Sequence, residues 1–307
     1  MTVFGMGLDS GFNGLGVVPF DPARLIADAR EADRAGLDVV SVTDHPYHHE
    51  HLEAYATIGY VLGSTSRVSG LVSVTNLACR PAPLLARTVS TMSQLSGGRL
   101  VLGIGAGVLW DEIVKFGVEP RTPGARVRML EEGITLVRAL TGGGAPVTFE
   151  GEFFRVDGLV PTATPTPPIW TGSMGPASLA LTGRMADGWL PAAAQDWRSD
   201  YVAAARSTID SAAIEAGRDP AAIATVYNLF GTITDTAVDV VRGVDSHGIG
   251  WLRGTVDQWV EELTGAVEEH RAGGFVFFPV ADGIDEQQKM RSQWLHEIVP
   301  AVRAATG

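Results

Sequence analysis

Leu100-Val101-Leu102-Gly103-Ile104 is apolar without interruption, and Gly97-Gly98 stands just ahead of it. A strand with one wet face alternates apolar and polar residues. This one offers no wet face, as in a parallel sheet covered on both sides. Ahead of the glycines, Leu85, Thr88, Val89, Met92 and Leu95 recur every three or four residues, the spacing of a helix with one face in a core. Behind the strand, Gly105-Ala106-Gly107 leaves bare backbone at its carboxyl end.

The same rhythm runs outward in both directions. Towards the N-terminus it predicts a strand over residues 3–8 and a helix opened by Asp21-Pro22 and stopped by Gly36. A strand over 37–43, a helix over 53–64 and a third strand over 68–77 follow. Towards the C-terminus, Val127, Leu130, Ile134 and Val137 predict a helix over 125–141. A hairpin over 147–156 bends at Glu150-Gly151, and short strands over 168–171 and 188–191 flank a helix over 176–185. A helix over 201–216 and a strand over 223–230 come next. Thr255 with Gln258 forms a capping box for a helix that runs to Gly273, and a last strand covers 275–280. Met290, Trp294, Leu295 and Ile298 place a closing helix on the core, ending before Pro300. About eight strands, nearly all followed by helices, predict a single α/β domain over residues 1–307. Its expected form is a (β/α)8 TIM barrel with insertions, whose site lies at the carboxyl ends of the strands. A doubly wound open sheet has the same rhythm and is the alternative.

The formal net charge of −12 argues against binding nucleic acid or an anionic membrane surface. The first basic residue is Arg24, so the charged flank of a signal peptide is missing. The longest charge-free run, 160–183, holds five prolines and cannot span a bilayer. Cys79 is the only cysteine, which excludes an intrachain disulfide and suits a reducing cytoplasm. With only Lys115 and Lys289 as lysines and no GxxxxGK[ST] run, a P-loop is not expected.

The strand-to-helix loops hold the candidate residues. Asp44-His45 is the best titratable pair, since an imidazole at a barrel mouth can donate near neutral pH; a loop anchor is the plain alternative. His48, His49 and His51 crowd the same loop, where a solvated loop is a simpler reading than a metal site. Gly103-Ile104-Gly105-Ala106-Gly107 has the spacing GxGxG, not GxGxxG. It reads as room for a flat ring or phosphate, or as tight packing. Gly172-Ser173-Met174-Gly175-Pro176 precedes a helix, whose free amides and dipole suit an anion.

Together these segments resemble the luciferase-like monooxygenase superfamily, and within it the oxidoreductases that use the deazaflavin coenzyme F-420. The resemblance rests on 36–45, 96–107, the 149–154 hairpin, and 167–170 continuing through 183–189. It implies a flavin-type ring lying across the strand ends, with a small-molecule substrate. Asp44 would contact the ring and His45 would sit beside the hydride-bearing carbon. Ser73-Val74 would form a bulge, often a cis peptide, under the ring face. Gly107 and Val108 would form the strand-four tip. Gly172, Ser173, Gly175 and Pro176 would hold the tail phosphate. Val108 stands where the sugar-phosphate dehydrogenases of this kind carry a proton-donating Glu, so carboxylate-assisted sugar oxidation is not expected. Reduced FMN with a separate reductase is the alternative cofactor, and a homodimer the expected assembly.

Overall fold

Eight parallel strands close into a ring in the computed structural model, which describes residues 2–10, 20–191, 196–244 and 250–307. The first half contains β1 (Val3–Gly7), α1 (Pro22–Ala35), β2 (Val39–Val42), α2 (Ala54–Ser64), β3 (Ser69–Val72), β4 (Thr75–Asn76), α3 (Ala82–Ser96), β5 (Leu100–Gly105), α4 (Trp110–Lys115) and α5 (Pro123–Ala139). The hairpin β6 (Val147–Glu150) and β7 (Arg155–Leu159) leads to β8 (Ile169–Thr171), α6 (Pro176–Met185), β9 (Gly188–Trp189), α7 (Asp200–Glu215) and β10 (Ala224–Ile233). Then come β11 (Arg242–Val244), β12 (Gly250–Gly254), α8 (Val256–His270), β13 (Gly274–Pro279), α9 (Ile284–Gln293) and α10 (Val299–Thr306).

The ring runs β1-β2-β3-β5-β8-β9-β10-β13 and back to β1, parallel throughout. It is therefore a TIM barrel and not an open sheet. Alternate residues of each strand explain the unbroken apolar runs. Val39, Leu71, Val101, Trp170, Val226 and Val276 pack together in one cluster, whereas Val40, Leu100, Leu102 and Ile104 join the larger layer that includes the helices. Gly103 is required by close approach: a Cβ there would lie 2.1 Å from the Val72 carbonyl oxygen.

The predicted caps are present. Asp21 accepts from the Ala23 amide at 2.9 Å, Gly36 and Gly97 close their helices at positive φ, and Thr255 and Gln258 form the reciprocal capping box. Two of the expected elements end differently. The third strand does not run unbroken to 77, because a cis peptide at Ser73-Val74 divides it into β3 and β4. The closing helix does not end before Pro300. A π-helical turn, Trp294–Ile298, carries it into α10, and Pro300 follows that turn inside the continuous helical run. The short hairpin pair β11–β12 and the helix α4 were not legible in the periodicity. The antiparallel β6–β7 insertion is where the alternation placed it.

Candidate functional site

The carboxyl ends of the strands surround a cavity of about 590 Å³. Its wall includes Asp44, His45, Ser73, Val74, Gly107, Val108, Gly172 and Gly175, all expected from the sequence. Ser173 and Pro176 are not on the wall. The Ser173 hydroxyl accepts from Thr182 Oγ1 at 3.0 Å, and its carbonyl accepts from Trp189 Nε1 at 2.9 Å, so it pins the loop to α6 and β9. Pro176 opens α6 behind Gly175.

Val74 forms an apolar ridge on the cavity wall. A Cβ on Gly105 would lie 2.8 Å from a Val74 methyl, and one on Gly172 would lie 3.0 Å away. Both glycines are thus needed where β5 and β8 flank this ridge.

Asp44 is buried and its carboxylate is already engaged. It accepts from the Asn76 amide at 2.9 Å, from Arg80 Nε at 3.1 Å and from Arg80 Nη2 at 2.8 Å. Burial disfavours the Arg80 charge, but the bonds to Asp44, and next to Glu53, hold that guanidinium above its ordinary range. The Arg80 guanidinium also lies 4.8 Å from the Tyr55 ring centroid. Asp44 therefore fixes the loop after β2 onto β4, as the anchor reading expected, while still forming cavity wall.

His45 Nδ1 lies 2.7 Å from the Tyr47 hydroxyl. Burial lowers the imidazole pKa, His48 adds to the effect, and Asp44 opposes it. Burial likewise lowers His51 to about 4, assisted by His45 and His48. The three imidazoles of His45, His48 and His51 lie 5.5 to 5.9 Å apart by ring centroids. Among the described residues, no group of three His, Cys, Asp or Glu side chains is arranged to hold a metal ion.

Arg126 and Asn228 are wall residues that the sequence reading did not single out. Arg126 lies with its guanidinium 4.4 Å from the centroid of Trp110, whose Nε1 donates to the Ala106 and Gly107 carbonyls at 3.3 and 3.2 Å. It lines the cavity with Gly175 and Ser178, at the N-terminus of α6, which has no side-chain cap. Asn76 and Asn228 also line it, and the side-chain oxygen of each is buried with no hydrogen-bond partner.

Residues 2–283 match the luciferase-like monooxygenase model. The chain belongs to the luciferase-like monooxygenase family. Among curated relatives of this luciferase-like chain is an F420-dependent glucose-6-phosphate dehydrogenase of Nakamurella multipartita. It is 35% identical over 179 residues, which is 56% of this chain and 52% of the relative. An F420-dependent hydroxymycolic acid dehydrogenase of Mycobacterium tuberculosis is 32% identical over 234 residues, 72% of this chain and 63% of the relative. The chain thus spans between half and two thirds of the length of these relatives. Among solved structures, an F420-dependent secondary alcohol dehydrogenase in complex with an F420-acetone adduct shares the fold. The TM-score is 0.78, at 21% identity, covering 98% of this chain and 99% of that one.

In this luciferase-like barrel, Glu112 does not substitute for the missing carboxylate at Val108. It pairs with Lys115 at 2.6 Å and is not part of the cavity wall. Val108 itself is 75% exposed at the rim, with Met174 also exposed beside the cavity.

Proposed function

We propose that the chain is a deazaflavin-dependent oxidoreductase that moves a hydride between coenzyme F-420 and a small apolar or conjugated substrate. One observation carries this reading: a single cavity has a half-buried imidazole on one wall and an uncapped helix N-terminus with Arg126 on another. The names of the curated relatives, both F420-dependent dehydrogenases, support it.

The residues present fit the group. The orphaned oxygens of Asn76 and Asn228 would accept from ring N–H groups, and the glycine-flanked Val74 ridge would back a flat face. The α6 amides after Gly175, the Gly172 backbone and Arg126 would hold the tail phosphate, with Ser173 and Pro176 shaping that loop. When bound, the deazaflavin would supply the hydride-accepting or hydride-donating carbon. This chain's residues bind, orient and exclude water. Asp44 holds the wall in place, Gly107 and Val108 form the tip, and His45 donates or takes a proton or hydrogen bond at the reacting centre. With hydrocarbon at Val108, the rim favours an apolar substrate over a sugar phosphate.

Titration of the purified protein with deazaflavin and with FMN, followed by fluorescence, tests the reading. Tight deazaflavin binding and weak FMN binding is the expected result. The reverse order would instead support a reduced-FMN monooxygenase served by a separate reductase.

A second copy of this chain is the proposed assembly partner. Tyr60 on α2 and Leu84 and Leu95 on α3 are exposed, and the two helices adjoin. Leu84 and Leu95 share one side of α3, being three turns apart. Light scattering is expected to give twice the 32.4 kDa chain mass; the chain mass itself would exclude the dimer.

A further inference from the structure

We propose that Tyr47 is a positioning residue: its hydroxyl donates to His45 Nδ1 and so holds His45 in the tautomer that carries its proton on Nε2. The role assigned to His45 in turnover rests on the function proposed above; the tautomer itself does not. The heavy atoms are 2.7 Å apart, and the two rings meet edge to face at 5.6 Å between centroids. Either group could formally donate, so the direction needs an argument. A phenol is a much better donor than a neutral imidazole N–H, and an imidazole nitrogen is a much better acceptor than a phenolic oxygen. The pair therefore settles as O–H···Nδ1 whenever the phenol holds its proton and the imidazole is neutral.

The surroundings keep both conditions. Burial pushes the Tyr47 hydroxyl up to about 12, Cys79 adds to this, and the Asn76 side chain opposes it. Asp44 and Glu112 contribute further negative charge against a phenolate. Burial and His48 keep His45 neutral, and Asp44 is a weaker opposing influence. Nε2 has no hydrogen-bond partner among the described residues. Both side chains line the cavity, so the N–H fixed on Nε2 is left for a ligand. Without the hydroxyl, nothing at Nδ1 selects between the two neutral tautomers, and part of the population can present a lone pair where a donor is needed. Histidine ring direction is commonly set by such a bond at the second nitrogen.

The experiment reads the tautomer directly, in apoprotein labelled with ¹⁵N at histidine, by long-range proton–nitrogen correlation at pH 7. A His45→Gln variant assigns the signal by its loss. The expected wild-type result is protonated Nε2 and bare Nδ1 at His45. Tyr47→Phe should mix the tautomers, because the donor that selects bare Nδ1 has gone. A His45 protonated on Nδ1 in wild type, or a Tyr47→Phe spectrum identical to wild type, overturns the proposal. If Tyr47→Phe does not fold, the wild-type spectrum can still overturn the proposal by showing the proton on Nδ1, and Tyr47→Leu serves as the second variant. Deazaflavin titration of both proteins is a separate readout: loss of binding in wild type refutes the proposed function and leaves the tautomer result standing. An unchanged dissociation constant in Tyr47→Phe, with turnover of a confirmed substrate reduced tenfold or more, is the expected signature of positioning.

Discussion

A neutral His45 can act as a hydrogen-bond donor without bringing a net charge to the cavity, which suits a group needed more in the transition state than for binding. His45→Ala is expected to lower kcat by about 10²–10⁴-fold, the usual contribution of a positioned acid or base. The cofactor dissociation constant should change only a few-fold, since ring shape and phosphate contacts dominate binding. Near-normal turnover of a confirmed substrate by a folded variant would refute the role. His45 was legible because a strand end at a barrel rim is a functional address. Arg126 and Asn228 were not, because their direction depends on packing between distant segments; Tyr47 stands only two residues from His45, but nothing local in the sequence shows that its hydroxyl turns back to that ring. Arg126 is on α5, its guanidinium stacks on Trp110 of α4, and it lines the same cavity as Gly175 of the α6 loop. Asp44 shows the converse. Its identity was legible, but its carboxylate is committed to Arg80, 36 positions further along the chain.

At the level of elements, α6 ends at the cavity with an unusual combination. Gly175 is its N-cap and supplies no side-chain acceptor, and a Cβ there would meet nothing within 4 Å. Gly175→Asp should therefore fit, cap the helix and stabilise it by roughly a few tenths of a kcal/mol. The same carboxylate would occupy the amides proposed for phosphate and add like charge, so deazaflavin affinity should fall at least tenfold. Gly175→Ala should leave affinity nearly unchanged. Melting curves with cofactor titrations separate the two effects, and unchanged affinity in Gly175→Asp would move the phosphate elsewhere. The link from α1 to β3 depends on a different carboxylate. Asp33 accepts from the amides of Ser66, Arg67 and Val68 and from the Ser66 hydroxyl. Although burial opposes its charge, these bonds lower it to about 2. Asp33→Asn cannot satisfy every donor and should lose on the order of 1–3 kcal/mol in urea unfolding. Helix ends such as Asp21, Gly36 and Thr255 were readable because capping is local. The break between β3 and β4 has only a weak local signal, a polar step in an apolar strand, and the family resemblance marked Ser73-Val74 beside it.

Across the whole molecule, the barrel could be inferred from the count of βα units, but its closure lies in a short seam. β9 meets β10 through Ala224 with Gly188 and Thr225 with Trp189 only. Nothing in either segment's sequence names the other as its neighbour. The titrating groups Asp28, Asp33, His45 and His51 instead fall in one stretch of the chain, and they act together on stability. His51, at about 4 in the folded protein, and His45 both lie below the ordinary histidine value of 6.5, chiefly through burial. The unfolded chain therefore binds protons first as pH falls. Their contribution is complete above about pH 6.5 and is lost progressively towards about 4. Asp33 extends the loss below 3.8, down to about 2. Asp28 acts in the opposite sense. Burial raises its pKa despite Arg291, so its contribution is present at low pH and is lost as pH rises past 3.8. Between pH 6.5 and 4 the two histidines should outweigh this one carboxyl. The urea midpoint is thus expected to be lower at pH 5 than at pH 7, with an unchanged denaturant slope. His51→Phe should flatten that difference, even if it changes the midpoint itself. Equal steepness in wild type and His51→Phe, or a higher midpoint at pH 5 than at pH 7, would show that these buried imidazoles do not control the acid limb.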